Sequence, residues 1–354
     1  TLARAGQEKN QRWASRHSEE LIEASGNLGD LPRNPLLLTV MAVIHTYRGE
    51  LPRKRAQLYN DCIELLLWEW QRTKRTANGS WKEGILDALN IHEQRLMAGL
   101  SQVAFDAYEA ISGGSMSAGI PQSVVLKVLK TYLDDDWGKA QIFCNYVEER
   151  SGLLVSRGKG PDDEPVYAFP HRGFQEFLAG RHIVNGWEFA RTITALAARG
   201  DAWREVILLA VGHLVYNSGE ITRPLDAVNL LCMAQPADTT TRWRMMWLAG
   251  EILNIIGRSD AEKDEHLGRK IVPRVVQELA QLVNNGYLSP SERAAASDVL
   301  GRLGDPRPGV CSRLPEMQRI PGGAFELGGQ HITVKPFHMS RYPITHAQFS
   351  AFME

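Results

Sequence analysis

EPVYAFPHRGFQEFLAGR, residues 164–181, is the stretch whose reading decides the rest. An apolar strand, VYAF, runs into Pro170, and His171 then opens a strongly amphipathic helix carrying Phe174, Phe177 and Leu178. The first turn of a helix leaves backbone N–H groups without partners and carries a partial positive charge, so it attracts anions. An imidazole at that point adds a donor, which makes His171 a candidate phosphate contact. The same position also suits a histidine that caps the helix or bonds within a domain interface.

Upstream, GDLPRNPLLLTVMAVIHTYRGELPRKRAQLYNDCIELLLWEW, residues 29–70, reads as two helices joined by a turn from Gly49 to Pro52. Asn34 is a suitable N-cap and Pro35 suits the first helical position, where its missing N–H costs nothing. In the second helix, from Lys54 to Trp70, Leu58, Cys62, Leu65 and Leu66 share a stripe with Tyr59, Ile63 and Trp70 beside it, the pattern of core packing. Taken in order, NPLLL and HRGFQEFLA resemble the distal part of a NACHT-type signalling ATPase. That is a branch of the STAND class, to which animal NOD-like receptors also belong. The resemblance implies that the proline of NPLLL, Pro35, packs on adenine, and that His171 reaches the ADP phosphates.

Composition narrows the remaining possibilities. The chain has 354 residues, enough for two or three domains with cores of their own. It starts at Thr1 and stops at Glu354 within apparent helices, and so reads as a fragment. A net charge of −1 gives no electrostatic footprint for nucleic acid or an anionic membrane. Cys62, Cys144, Cys232 and Cys311 are far apart, with no paired spacing, which fits reduced thiols in the cytoplasm. The apolar runs at 36–44 and 206–212 are well short of the roughly 18 residues of a membrane span.

The expected fold class is mainly α, in four parts. Residues 1–91 form a small helical domain, the distal helical subdomain of the NACHT resemblance, ending in the polar stretch TKRTANGSWKEG. Residues 92–186 have helices at about 92–109, 121–133 and 137–150, then LLVS and VYAF flanking a Gly, Pro and Asp-rich connection, the order of a winged helix with its hairpin wing. Residues 187–308 are helical, and WREVILLAVGHL from Trp203 echoes WRMMWLAGEIL from Trp243. That spacing of 40 residues, with SPSERAAASDVLGRLG at 289–304 as a third unit, suits a HEAT-like helical region. GDPRPGVCSRLPE, residues 304–316, is expected to be an extended linker.

From Met317 a different pattern begins, covering the rest of 309–354. IPGGAFELG, ITVKPF and RYPITHAQFSAF resemble the truncated start of the formylglycine-generating-enzyme, or sulfatase-modifying-factor, domain, an α+β fold of C-type-lectin-like kind. His346 stands where that family commonly has asparagine. Its catalysts use a late cysteine pair with copper and calcium, and no matching region is present. Cys311 precedes the domain, and His331, His338 and His346 are too scattered to form a metal site.

No phosphate loop of the GxxxxGK(S/T) type occurs, so the resemblance places the hydrolytic machinery upstream, with no catalytic or metal residue expected here. The acidic run Asp134, Asp135, Asp136 follows Val124, Val125, Val128, Leu129 and Leu133 at helical spacing and reads as an exposed helix end. The expected role is the regulatory and sensor part of a nucleotide-controlled switch. ADP or ATP with Mg would be bound mostly outside this chain, through Pro35 and His171, and ADP would hold the domains closed. Expected partners are the upstream ATPase core, an unknown ligand or protein sensed by the C-terminal region, and further copies on activation, with no nucleic acid or membrane. A role in bacterial defence is an analogy of architecture. The alternatives are a sulfatase-activating oxidase with a helical extension and a winged-helix DNA-binding regulator. The candidate recognition helix, WGKAQIFCNYVEERSG, sets Lys139 and Arg150 against Glu148 and Glu149, which leaves little to neutralise phosphates.

Overall fold

The computed structural model describes residues 35–69, 84–114, 119–160, 162–311 and 315–353. Asn34, most of the polar stretch after Trp70, and Trp70 itself lie outside them. The chain forms two compact units, Thr1–Pro224 and Leu225–Glu354.

In the first unit, α1 (Pro35–Arg48) carries Pro35 as the first of the described residues. After the turn at Gly49, whose φ of 81° favours glycine, comes α2 (Arg55–Glu64), which continues as a wide π-type turn over Leu65–Glu69. Leu58, Cys62 and Leu65 are buried with Tyr59 and Ile63, the stripe expected from their spacing. A short helix, α3 (Ile85–Leu89), leads to the winged helix.

That domain runs α4 (Glu93–Ser112), β1 (Ile120–Pro121), α5 (Gln122–Tyr132), α6 (Trp137–Tyr146), β2 (Val155–Lys159) and β3 (Pro165–Ala168). The strands form one antiparallel sheet in the order β1, β3, β2, with Ile120 opposite Tyr167 and Val155 opposite Ala168. Leu96, Leu100, Val103, Ala104 and Ala107 recur three and four residues apart on α4 and are buried, as are Val125 and Leu129 of α5 and Ala140, Phe143 and Cys144 of α6. The acidic run behaves as a helix end: Asp136 caps α6 by accepting from the Gly138 and Lys139 amides, and exposed Asp134 pairs with Arg95 and Lys139.

The unit is completed by α7 (Arg172–Asn185), α8 (Phe189–Ala198) and α9 (Arg204–Gly212), the last running on as a π-type turn over His213–Asn217. α7 packs on α4, α9 and α2, and α9 packs on α2, so this unit takes in parts of the segments 1–91, 92–186 and 187–308.

α10 (Thr222–Met233) spans the boundary between the units. The second unit then holds α11 (Thr239–Ile256), α12 (Arg258–Lys263), α13 (Gly268–Asn285) and α14 (Pro290–Leu303), with α11 packed on α13 and α14. The two echoing segments therefore sit in different units: Trp203 immediately precedes α9, whereas Trp243 lies on α11 and stacks on Tyr287 at 4.4 Å. Ser289 and Glu292 close a capping box on α14. Residues 304–311 are not an extended linker. Asp305 is buried, accepts from the Arg307 amide at 2.9 Å and is gripped by the Arg307 guanidinium, which folds the Pro and Gly-rich stretch into a turn. Beyond it, β4 (Met317–Ile320) pairs with β7 (Phe337–Ser340) and β5 (Gly323–Leu327) with β6 (Gln330–Val334), all antiparallel, before α15 (His346–Met353).

Candidate functional site

His171 is the N-cap residue of α7. Its backbone is extended, and its Nδ1 accepts from the Gly173 amide at 3.0 Å. Burial, and secondarily the Arg55 charge, hold its pKa below the usual histidine range, so the ring is neutral near pH 7. A neutral imidazole that accepts at Nδ1 carries its proton on Nε2. Among the described residues nothing accepts from that Nε2–H. The capping role and a ligand contact thus use different nitrogens, and the structure fulfils the first while leaving the second open.

Three helices meet around this residue, and each meeting point has a glycine. A Cβ on Gly173 would lie 2.0 Å from the Tyr59 hydroxyl oxygen, so α7 rests directly on α2. One on Gly180 would lie 3.0 Å from the Ala210 amide nitrogen and from the Val206 carbonyl oxygen, which brings α7 against the backbone of α9. One on Gly212 would lie 2.9 Å from Ala56 Cβ, closing α9 onto α2. Side chains at these positions would separate the helices and disperse the groups that converge at the head of α7.

Those groups are Tyr59, Arg55, Glu205 and Glu176. Tyr59 is fully buried; its ring stacks on His171 with centroids 6.3 Å apart and meets Phe174 edge-on at 5.8 Å. Burial pushes its pKa up to about 12. Arg55, one turn earlier on α2, holds Glu205 of α9 at 2.7 Å. Glu176 is buried, takes Arg172 at 2.8 Å, and is raised above the ordinary carboxylate range chiefly by its burial. The sequence singled out none of these four as site residues. Tyr59 was legible only as a core aromatic, and Arg55 and Glu205 are far apart along the chain.

Pro35 lies on α1, directly after the residues outside the description, and its side chain also lies outside what the structure describes. A neutral imidazole that accepts at Nδ1 has an Nε2–H of the kind that a phosphate oxygen can accept. For Mg the residues offer no fit: among those described, no three His, Cys, Asp or Glu side chains converge, and the Asp134 and Asp136 carboxylates are committed to ion pairs and a helix cap.

Residues 55–183 match the family model of the winged helix-turn-helix domain C-terminal to NACHT. The match begins at Arg55, runs through the whole winged helix and ends within α7, so it includes both Tyr59 and His171. It supports a relationship to NACHT-type proteins and does not reach residues 309–354. No curated protein and no solved structure matches the chain. Among the described residues, no helix is long and apolar enough to cross a membrane.

Proposed function

We propose that the chain is the regulatory and sensor part of a nucleotide-controlled NACHT signalling switch, in which His171 donates from Nε2 to the phosphates of ADP. The observation that carries this reading is the state of the imidazole. It is neutral, fixed by the Gly173 amide, and has a donor without a partner among the described residues at the positive end of a 14-residue helix. Pro35, on α1, supplies the apolar contact to the base. ADP favours the closed arrangement only to the extent that it makes contacts there which the open one lacks, and exchange for ATP removes that preference. The C-terminal segment, read as a lectin-like recognition module of formylglycine-generating-enzyme type, receives the stimulus.

The test is made in the full-length protein. A hydrogen bond to a charged group is worth about 1.5–3 kcal/mol, so His171→Ala is expected to weaken ADP retention roughly 10- to 100-fold and to raise output without stimulus. Copurifying nucleotide and the dissociation rate of a fluorescent ADP report the first effect. Unchanged nucleotide content together with unchanged basal output would leave His171 only its capping role. Pro35→Ala is expected to lower affinity modestly while α1 stays folded. Unfolding of the helical segment, with affinity per folded molecule unaltered, would reduce Pro35 to a helix-start residue.

A further inference from the structure

We infer that residues 305–310 form a rigid joint which fixes the C-terminal module, residues 315–353, to the helices α13 and α14. A displacement of the module is then delivered to those helices instead of being absorbed between them. The use of the joint in signalling rests on the proposed sensor role of the C-terminal segment, whereas its rigidity does not.

The sequence of the stretch, DPRPGV, has the composition of a connection that samples many end-to-end distances unless its own groups tie it down. Here they are tied at both ends. On the helical side the Asp305 side chain is only 1% accessible, and the Arg307 guanidinium grips both of its oxygens, with Nε at 2.9 and 3.0 Å and Nη2 at 2.5 Å. The remaining nitrogen, Nη1, donates to the Asn284 side chain on α13 at 3.2 Å. A planar fork engaged at all three nitrogens keeps little freedom. Just before it, Arg258 of α12 donates to the Leu303 carbonyl at the end of α14 at 2.5 Å, which fixes where the joint starts.

The other end is held by α15. Thr345 and Gln348 form the capping box of that helix: the Thr345 amide donates to Gln348 Oε1 at 3.1 Å and the Gln348 amide to Thr345 Oγ1 at 3.2 Å. The donors that the box leaves over reach consecutive carbonyls of the joint, the Thr345 hydroxyl that of Val310 at 2.7 Å and Gln348 Nε2 that of Gly309 at 3.0 Å. Gln348 is buried, while Phe349 and Phe352 of the same helix are exposed. Taking in a glutamine and leaving two phenylalanines outside reverses ordinary core packing, so hydrogen bonds to the joint, rather than apolar burial, seat α15 at this point. Only Pro308 lies between Arg307 and Gly309, and its ring fixes φ.

The test is a distance measurement by pulsed electron resonance in the full-length protein, between nitroxides on ketone amino acids that spare the native cysteines. One label replaces Gln277 of α13 and the other Ala347 of α15, both exposed. The parent is expected to give a single distance, as narrowly distributed as that of a reference pair within α13 at Lys270 and Gln281. Gln348→Glu keeps the oxygen that caps α15 and loses the donor to Gly309, and Arg307→Gln loses the fork. Each is expected to broaden the distribution roughly twofold or more, toward that of an untied linker. Lys263→Gln, which deletes an exposed ion pair with Asp260 at 2.6 Å in the same unit, is expected to leave the width unchanged. Arg307→Gln strands the buried Asp305 carboxylate, so Gln348→Glu carries the test if that variant does not fold. A broad distribution in the parent overturns the proposal, and so does a width unchanged in the folded joint variants. The two readings fail separately: a narrow parent distribution with unaltered ADP retention in His171→Ala keeps the joint and sinks the nucleotide switch, whereas a broad one sinks the joint alone.

Discussion

Gly173→Ala is expected to destabilise the first unit by about 2 kcal/mol, although alanine is the better helix former by roughly 1 kcal/mol. The added methyl would lie 2.0 Å from the Tyr59 hydroxyl oxygen, 2.5 Å from its Cζ and 2.9 Å from His171 Nδ1. Tyr59 cannot step aside cheaply, because it is fully buried and packed against Phe174 and Phe177. Overpacking a rigid core costs about 1–3 kcal/mol and sometimes more, which outweighs the gain in helix propensity. Gly301 of α14 provides the contrast: a Cβ there meets nothing within 4 Å, so Gly301→Ala is expected to stabilise its own unit by about 0.5–1 kcal/mol. Chemical denaturation of each variant measures both effects. Tyr59→Leu in the Gly173→Ala background should recover part of the loss, and a double-mutant cycle with no coupling would show that the two residues do not meet as described. Since the displaced ring stacks on His171, Gly173→Ala should also weaken ADP retention beyond what its loss of stability accounts for.

The course of the backbone around this site was largely legible in the sequence. Pro170 and the amphipathic run after it announce α7, and LLVS and VYAF with their Pro and Asp-rich connection announce the wing, because both signals depend on neighbours in the chain. The site's population was not legible. The pairing of Arg55 with Glu205, and the seating of Tyr59 under Gly173, depend on how α2, α7 and α9 cross. Nothing local distinguishes Gly173, Gly180 and Gly212 from glycines that merely end helices, although HRGFQEF does put a glycine where a helical face is otherwise bulky. Likewise the Pro and Gly content of residues 304–311 pointed to an extended connection, whereas the acid–base pair of Asp305 and Arg307 closes it into a turn.

Acidification is expected to weaken the first unit most steeply between pH 6.5 and 4, with His213 as the main source. The residue opens the π-type turn after α9, sets its ring edge-on to Phe177 at 5.7 Å, and has a buried Nδ1 without a partner among the described residues. Burial, with Arg181 as a secondary cause, pulls its pKa down to about 4. Arg181 itself donates to the Asn60 side chain at 3.1 Å, so protonating His213 would place a second cation beside a guanidinium already drawn out of water. The sign follows from proton counting. An unfolded histidine titrates near 6.5, so between about 6.5 and 4 the unfolded chain binds a proton that the folded one refuses. The stabilisation is complete above 6.5 and is lost as the pH falls through that window, by at most about 3 kcal/mol and less to the extent that water reaches the ring. His171 and His182, both depressed by burial, act in the same sense, while Glu176, raised by burial, acts in the opposite one. The denaturant midpoint measured from pH 4 to 8 should therefore fall steeply in the parent and much less in His213→Gln, which cannot take up the proton. An undiminished slope in that variant would remove His213 as the source and leave the other two histidines, with the Glu220 and Asp134 carboxylates that their cation partners hold low, to account for it.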